Sequence, residues 1–119
     1  MSEVARELYR RWLDELWNGS PDAAEQLVSA DFAGHWPDRE VTGPAELAAL
    51  IAETQGMFTD LEFELTVGPM ADGDLVAGRW IGTGTTPDGE RARFLGNDIL
   101  RVRDGRFTEY WVASAELPA

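Results

Sequence analysis

Three Asp-Gly pairs, at 72–73, 88–89 and 104–105, stand sixteen residues apart, and the sequence between them is rich in strand-forming residues. Asp-Gly is favoured at the tips of tight hairpins because both central residues of a type I′ turn need positive φ. The spacing predicts four antiparallel strands in a meander, at about 60–70, 74–86, 90–103 and 106–116. Strands of this length would run roughly 40 Å at about 3.3 Å per residue, too long to lie flat in so short a chain, so the sheet must curl. Gly78, Gly82, Gly84 and Gly96 lie inside the strands, where glycine commonly marks a bulge or bend.

The first half reads as helix. Residues 3 to 17 place Ala5, Leu8, Tyr9, Trp12, Leu13, Leu16 and Trp17 on one stripe and charged residues on the other, an amphipathic pattern ended by Asn18-Gly19. Ser20-Pro21 reads as an N-cap followed by proline in the first turn of a short helix reaching about Ser29. Residues 31 to 42 (DFAGHWPDREVT) show no period and predict an irregular segment with one short strand at most. Gly43-Pro44 opens a third helix that ends near Gln55-Gly56 and turns Leu47, Leu50, Ile51 and one of Met57 or Phe58 inward. The expected architecture is α+β, a single domain over 1–119, with a curled antiparallel four-strand meander wrapped around a long N-terminal helix and an open pocket at its wide end.

Composition narrows the function. Twenty-two acids against ten arginines give a formal charge of −12, which argues against nucleic acid or an anionic membrane as partner. The absence of cysteine removes disulfides and thiolate chemistry, and one histidine with no carboxylate spacing of the usual kind gives no metal site. No cofactor motif is present. No run of eighteen apolar residues occurs and the charged start does not resemble a signal peptide, so a cytoplasmic location is expected.

Asp98 is the residue of interest. Period-two alternation puts it on the face of Leu100 and Val102, opposite Arg101 and Arg103, so this lone acid points inward. A buried carboxylate needs a partner or a task. Desolvation would raise its pKa towards neutrality, as suits a general base, whereas a cationic partner would lower it. Tyr9, Trp12, Trp36, Phe58 and Tyr110 are candidates to line an aromatic cavity, and Ser114 shares the inward parity of Tyr110 and Val112. His35, in the aperiodic GHWPD stretch, can take either protonation state near neutrality.

The stretches YRRWLDELWNGSPDAAEQLVSADFAGHWPD, TGPAEL, LVAGRWIGTGT and GNDILRVRDGRFTEYW resemble the SnoaL-like polyketide cyclases, relatives of nuclear transport factor and ketosteroid isomerase. The resemblance implies a curled cone with a pocket and a cofactor-independent enzyme that uses proton transfer to close or isomerise a hydrophobic polycarbonyl substrate. Asp98 would be the base, with His35, Arg79 or Tyr110 facing the enolate. His35 stands where members of the family often carry a pocket histidine, and the family register would turn residues 75, 77, 79 and 81 inward, unless a bulge at Gly78 reverses it. The same register puts Trp80, Ile99 and Trp111 on the outer face of the sheet, through which relatives form homodimers. Two departures are plain. Where several enzymes of the superfamily carry a catalytic aspartate after a Trp-like position, the sequence is Glu109-Tyr110-Trp111-Val112, and valine transfers no proton. Leu75 and Ala77 replace the arginine and aspartate of an epoxide hydrolase. The alternatives to an enzyme are a non-catalytic binder of a hydrophobic metabolite and an assembly module working through the outer sheet face.

Overall fold

The N-terminal stripe folds as expected into one continuous helical rod, but its second half is wound differently. In the computed structural model, which describes residues 2–118, α1 (Ser2–Arg11) runs directly into a π-helical segment, Trp12–Trp17. All seven apolar residues of the stripe are buried. The rod stops where the Asn18 amide N–H donates to the Leu13 carbonyl five residues back, at 2.8 Å. A Cβ at Gly19 would come within 2.3 Å of the Glu15 carbonyl oxygen, so only glycine continues the chain at this angle. The Asn18 side chain then exchanges two hydrogen bonds with the backbone of Phe63, at 2.8 and 2.7 Å, which fastens the rod to the sheet.

Ser20 caps the next turn, its Oγ accepting from the Asp22 N–H at 3.2 Å. The helix that follows is shorter than its sequence suggested. A 3-10 turn (Pro21–Ala23) and one α-helical turn, α2 (Ala24–Leu27), give way at Val28, which is already extended and buried. From there the expectation of an irregular segment is overturned. Val28–Trp36 forms β1, and Arg39–Thr42 forms β2, joined as a hairpin. Alternation in this stretch is obscured by Gly34 and by a register shift between Val28 and Ala33, and its main partner, the last strand, lies nearly eighty residues away. Helix α3 (Gly43–Gly56) buries Leu47, Leu50 and Ile51, while Met57 is exposed.

The meander is present as β3 (Glu62–Asp72), β4 (Leu75–Thr85), β5 (Arg91–Arg103) and β6 (Arg106–Leu117), within two residues of the expected bounds at every end. It forms part of a six-stranded mixed sheet in the order β2-β1-β6-β5-β4-β3, in which β1 and β6 run parallel. The sheet curls about the N-terminal rod without closing.

The pairing of β4 with β5 decides the register of the site. Gly78 pairs with Asp98, and Asp98 with Val112; Trp80 pairs with Gly96, and Gly96 with Ser114. Directly paired residues share a face, so 76, 78, 80 and 82 point inward on β4. This corrects two expectations: Arg79 is exposed on the outer face, and Trp80 is buried inside. The ladder from 75–101 to 85–91 is unbroken, so no bulge at Gly78 is involved. The strand glycines serve a different purpose from bending. A Cβ on Gly78 would lie 2.6 Å from the Tyr9 ring, one on Gly96 2.0 Å from the Trp80 ring, and one on Gly82 2.4 Å from the Phe94 ring. Each vacates the place where an aromatic ring lies against the strand.

Candidate functional site

Inside the curl, the aromatic side chains leave a cavity of about 150 Å³, open on one side. The π-helical segment contributes Trp12, Leu13 and Trp17; Trp36 at the end of β1 and Thr54 on α3 bracket it. The sheet contributes Phe63, Trp80, Phe94, Asp98, Tyr110, Val112 and Ser114. Close ring contacts fix these walls, with Trp36 edge-on to Tyr110 at 5.0 Å, Trp12 against Tyr110 at 4.9 Å, and Phe63 edge-on to Trp80 at 5.0 Å.

Asp98 is the one charged group in this wall and is 1% exposed. Its inward parity follows from its neighbours, as the sequence implied. Its partners are phenols. The Tyr9 hydroxyl, brought over Gly78 by α1, donates to Oδ2 at 2.9 Å, and the Tyr110 hydroxyl donates to Oδ1 at 2.7 Å. No ion pair reaches Asp98 among the described residues. Loss of hydration pushes its carboxyl up to about 6, against the opposing pull of the Trp80 indole and the two phenols as donors. Burial, with the carboxylate beside them, holds Tyr9 and Tyr110 well above the ordinary phenol range, so both remain donors. The arrangement is a carboxylate with a raised pKa, met by two phenol donors and an indole in a largely apolar chamber. No group of three or more histidine or acidic side chains with metal-binding geometry occurs among the described residues.

The structure gathers Trp12, Trp36, Tyr110 and Ser114 around the cavity with Asp98, and sets Tyr9 directly behind the carboxylate. Three of the expected site residues lie elsewhere. Arg79 points to solvent from the outer face because Gly78 and Trp80, its neighbours, take the inward positions. His35 lies on that outer face too, paired across the sheet with Trp111; its ring nitrogens meet Glu40 at 2.6 Å and Glu109 at 2.7 Å. The Glu109 hydrogen bond raises its pKa above the ordinary value, with Glu40 adding to the effect and burial opposing it. Phe58 packs outside the chamber, against Phe94 at 5.7 Å and over Gly84. Sequence reasoning missed Trp80 and Phe63 as wall residues. The signal for Trp80 was Gly96, a glycine sixteen residues on in the facing strand.

A curled, unclosed sheet around an N-terminal rod, with a chamber facing the rod, defines the ketosteroid isomerase-like cone fold. The SnoaL-like domain family matches residues 9–110, and the chain belongs to that family. Among solved structures it is similar to AclR of Streptomyces galilaeus, a candidate hydroxylase (24% identity, 99% of this chain and 83% of that one, TM-score 0.86). It is similar also to IdmH of Streptomyces antibioticus, a candidate polyketide cyclase (22% identity, 92% and 91%, TM-score 0.79). A third is a ketosteroid isomerase-like protein of Catenulispora acidiphila in complex with trimethylamine (22% identity, 90% and 84%, TM-score 0.80). At these identities the likeness is one of fold. No curated protein matches the sequence. Among the described residues no helix is long and apolar enough to cross a membrane.

Proposed function

We propose that the chain is a cofactor-independent small-molecule enzyme of the cyclase or isomerase kind. In this reading Asp98 takes a proton from a carbon activated by neighbouring carbonyls, and the enolate closes a ring or is reprotonated elsewhere. The observation that carries it is a single carboxylate in an apolar chamber, its pKa raised to about 6 by burial and with no cation to pair with it. Such a base is largely ionised at neutral pH yet basic enough to accept a proton. Ser114 on β6 borders the chamber and is the hydroxyl left to meet the enolate oxygen, because the Tyr110 proton is donated to Asp98; His35 and Arg79 lie on the outer face and take no part in this reading. The chamber's 150 Å³ is comparable with a cavity that holds one benzene ring, so only the reacting end of a larger substrate enters and the rest extends through the open side. Turnover of β-dicarbonyl and polyketone substrates by the native chain and by Asp98→Asn tests the reading. The variant is expected to lose at least about 10²-fold; undiminished turnover in a folded variant refutes the assignment.

A second reading, a binder without chemistry, is favoured by Val112, which faces Asp98 from the adjacent strand where relatives carry the aspartate. The occupation of both carboxylate oxygens by tyrosines favours it too. The trimethylamine complex of the Catenulispora protein is in keeping with this use of the chamber. Native mass spectrometry of freshly purified protein distinguishes a retained ligand from an empty chamber.

A homodimer through the outer sheet face is part of the proposal. Without Trp80, the apolar patch rests on Ile99, 46% exposed, and on Trp111, its direct cross-strand neighbour.

A further inference from the structure

The chamber combines two properties that together suit a cation. It holds a negative charge, and most of the rest of its lining is aromatic. Asp98 faces Gly78 and Trp80 from β4, Tyr9 from α1, and Tyr110 and Val112 from β6, with no Arg or His side chain among them. The phenols are neutral, so the carboxylate's charge is shared with donors but not cancelled. A neutral occupant would displace what water reaches the carboxylate and leave the charge buried without compensation, whereas a cation would offset it. The wall selects among cations. Trp12, Trp17, Trp36 and Trp80 all border the space, and the faces of indole rings attract weakly hydrated organic cations. A hard metal ion needs several oxygen ligands, and here a single carboxylate with two phenols is offered. The net charge of −12 supplies a long-range field of the same sign.

We propose that the chamber binds a compact organic ammonium ion, a tertiary or quaternary amine, with Asp98 as counter-charge and the indoles as its walls. The inference rests on the second, binding reading of the chamber and does not require proton transfer at Asp98. A volume of about 150 Å³ suits a group the size of a trimethylammonium head, and the open side lets a longer substituent extend to solvent.

The test compares choline with 3,3-dimethylbutan-1-ol, a neutral molecule of the same shape in which carbon replaces the ammonium nitrogen. Isothermal titration of the native chain at pH 8 is expected to give choline at least about tenfold tighter binding than the alcohol. The preference should fall to under about twofold in Asp98→Asn. With the carboxyl at about 6, choline affinity in the native chain should drop about tenfold between pH 8 and pH 5, and that of the alcohol should not change. The pH series uses the native chain and stands even where the variant fails to fold. Equal affinities, preference for the alcohol, or no binding of choline below about 10 mM overturns the inference. Loss of dicarbonyl turnover in Asp98→Asn without any preference for choline would leave the enzyme reading standing and sink this one. A choline preference without turnover would support this one alone.

Discussion

Replacing Asp98 with asparagine should make the protein's stability respond to pH in a way that wild type and variant do not share. The folded carboxyl is raised from its ordinary 3.8 to about 6 because burial penalises the charged form. Between those values the folded state holds a proton that the unfolded chain has released. The wild type is therefore most stable, relative to the variant, below pH 3.8, and loses that advantage as pH rises through 6. The whole difference is worth about 3 kcal/mol at about 1.4 kcal/mol per pH unit. The sequence pI of about 4.3 makes measurement below pH 5 prone to precipitation. Between pH 5 and pH 8 about 1.4 kcal/mol of the change remains accessible. Against this runs a pH-independent cost. Asparagine offers one acceptor oxygen where the carboxylate offers two, so either Tyr9 or Tyr110 must turn its proton elsewhere, at about 1 kcal/mol. The variant is thus expected to be more stable than wild type at pH 8, by about 2 kcal/mol, and to lose most of that lead by pH 5. Urea unfolding at four pH values, followed by tryptophan fluorescence, reads the difference directly. A gap that stays constant within about 0.3 kcal/mol across this range would refute the claim that Asp98 titrates in a desolvated site.

Tyr9→Phe and Tyr110→Phe each remove one donor to the carboxylate. Each should move the titration midpoint of Asp98 upward, seen by carboxyl NMR, and cost about 1.5–3 kcal/mol at pH 8. Gly78→Ala drives a methyl into the Tyr9 ring and should lower stability by about 1–3 kcal/mol in thermal melts, a loss that Tyr9→Ala in the same chain reduces. His35→Gln should leave turnover unchanged. Because the His35 pKa is raised in the fold, its contribution is fully present below about pH 6.5 and fades as pH rises through the folded value. Its exposure keeps that contribution under about 1 kcal/mol in pH-dependent unfolding. Trp111→Glu should convert a homodimer to monomer in sedimentation, and a wild type that sediments as monomer at micromolar concentration removes the dimer proposal.

What could be read from the sequence divides along physical lines. Local signals were sufficient wherever the determinant was local: the Asp-Gly turns set the four-strand meander, and the helical stripe from Ala5 to Trp17 set the rod. Asp98 was placed inward by its immediate neighbours, and the structure agrees because Arg101 and Arg103 could not both be buried. Non-local determinants were not legible. The hairpin of β1 and β2 depends on a parallel partner at the far end of the chain, and nothing within residues 31–42 announces it. The orientation of β4 failed for a related reason. Alternation in LVAGRWIGTGT is ambiguous because three of its inward positions are occupied by glycine, so a register borrowed from relatives turned Arg79 in and Trp80 out. The partner of Asp98 was sought among the arginines, whereas the Tyr110 hydroxyl was assigned to the enolate and Tyr9 was read only as aromatic wall, because nothing local in the sequence brings either phenol to the carboxylate.

The pairing of each inward glycine with a ring has a consequence for how this chamber can change over time. Trp80 occupies the room left by Gly96, Tyr9 that left by Gly78, and Phe94 that left by Gly82. A side chain gained on the strand evicts a ring rather than narrowing the space by a methyl, and a ring lost uncovers the strand backbone. Neither step is small when taken alone. Descendants of this sequence that come to hold a differently shaped occupant should therefore differ at both members of a pair, 80 with 96 or 9 with 78, and single replacements at either position should be rare among working copies.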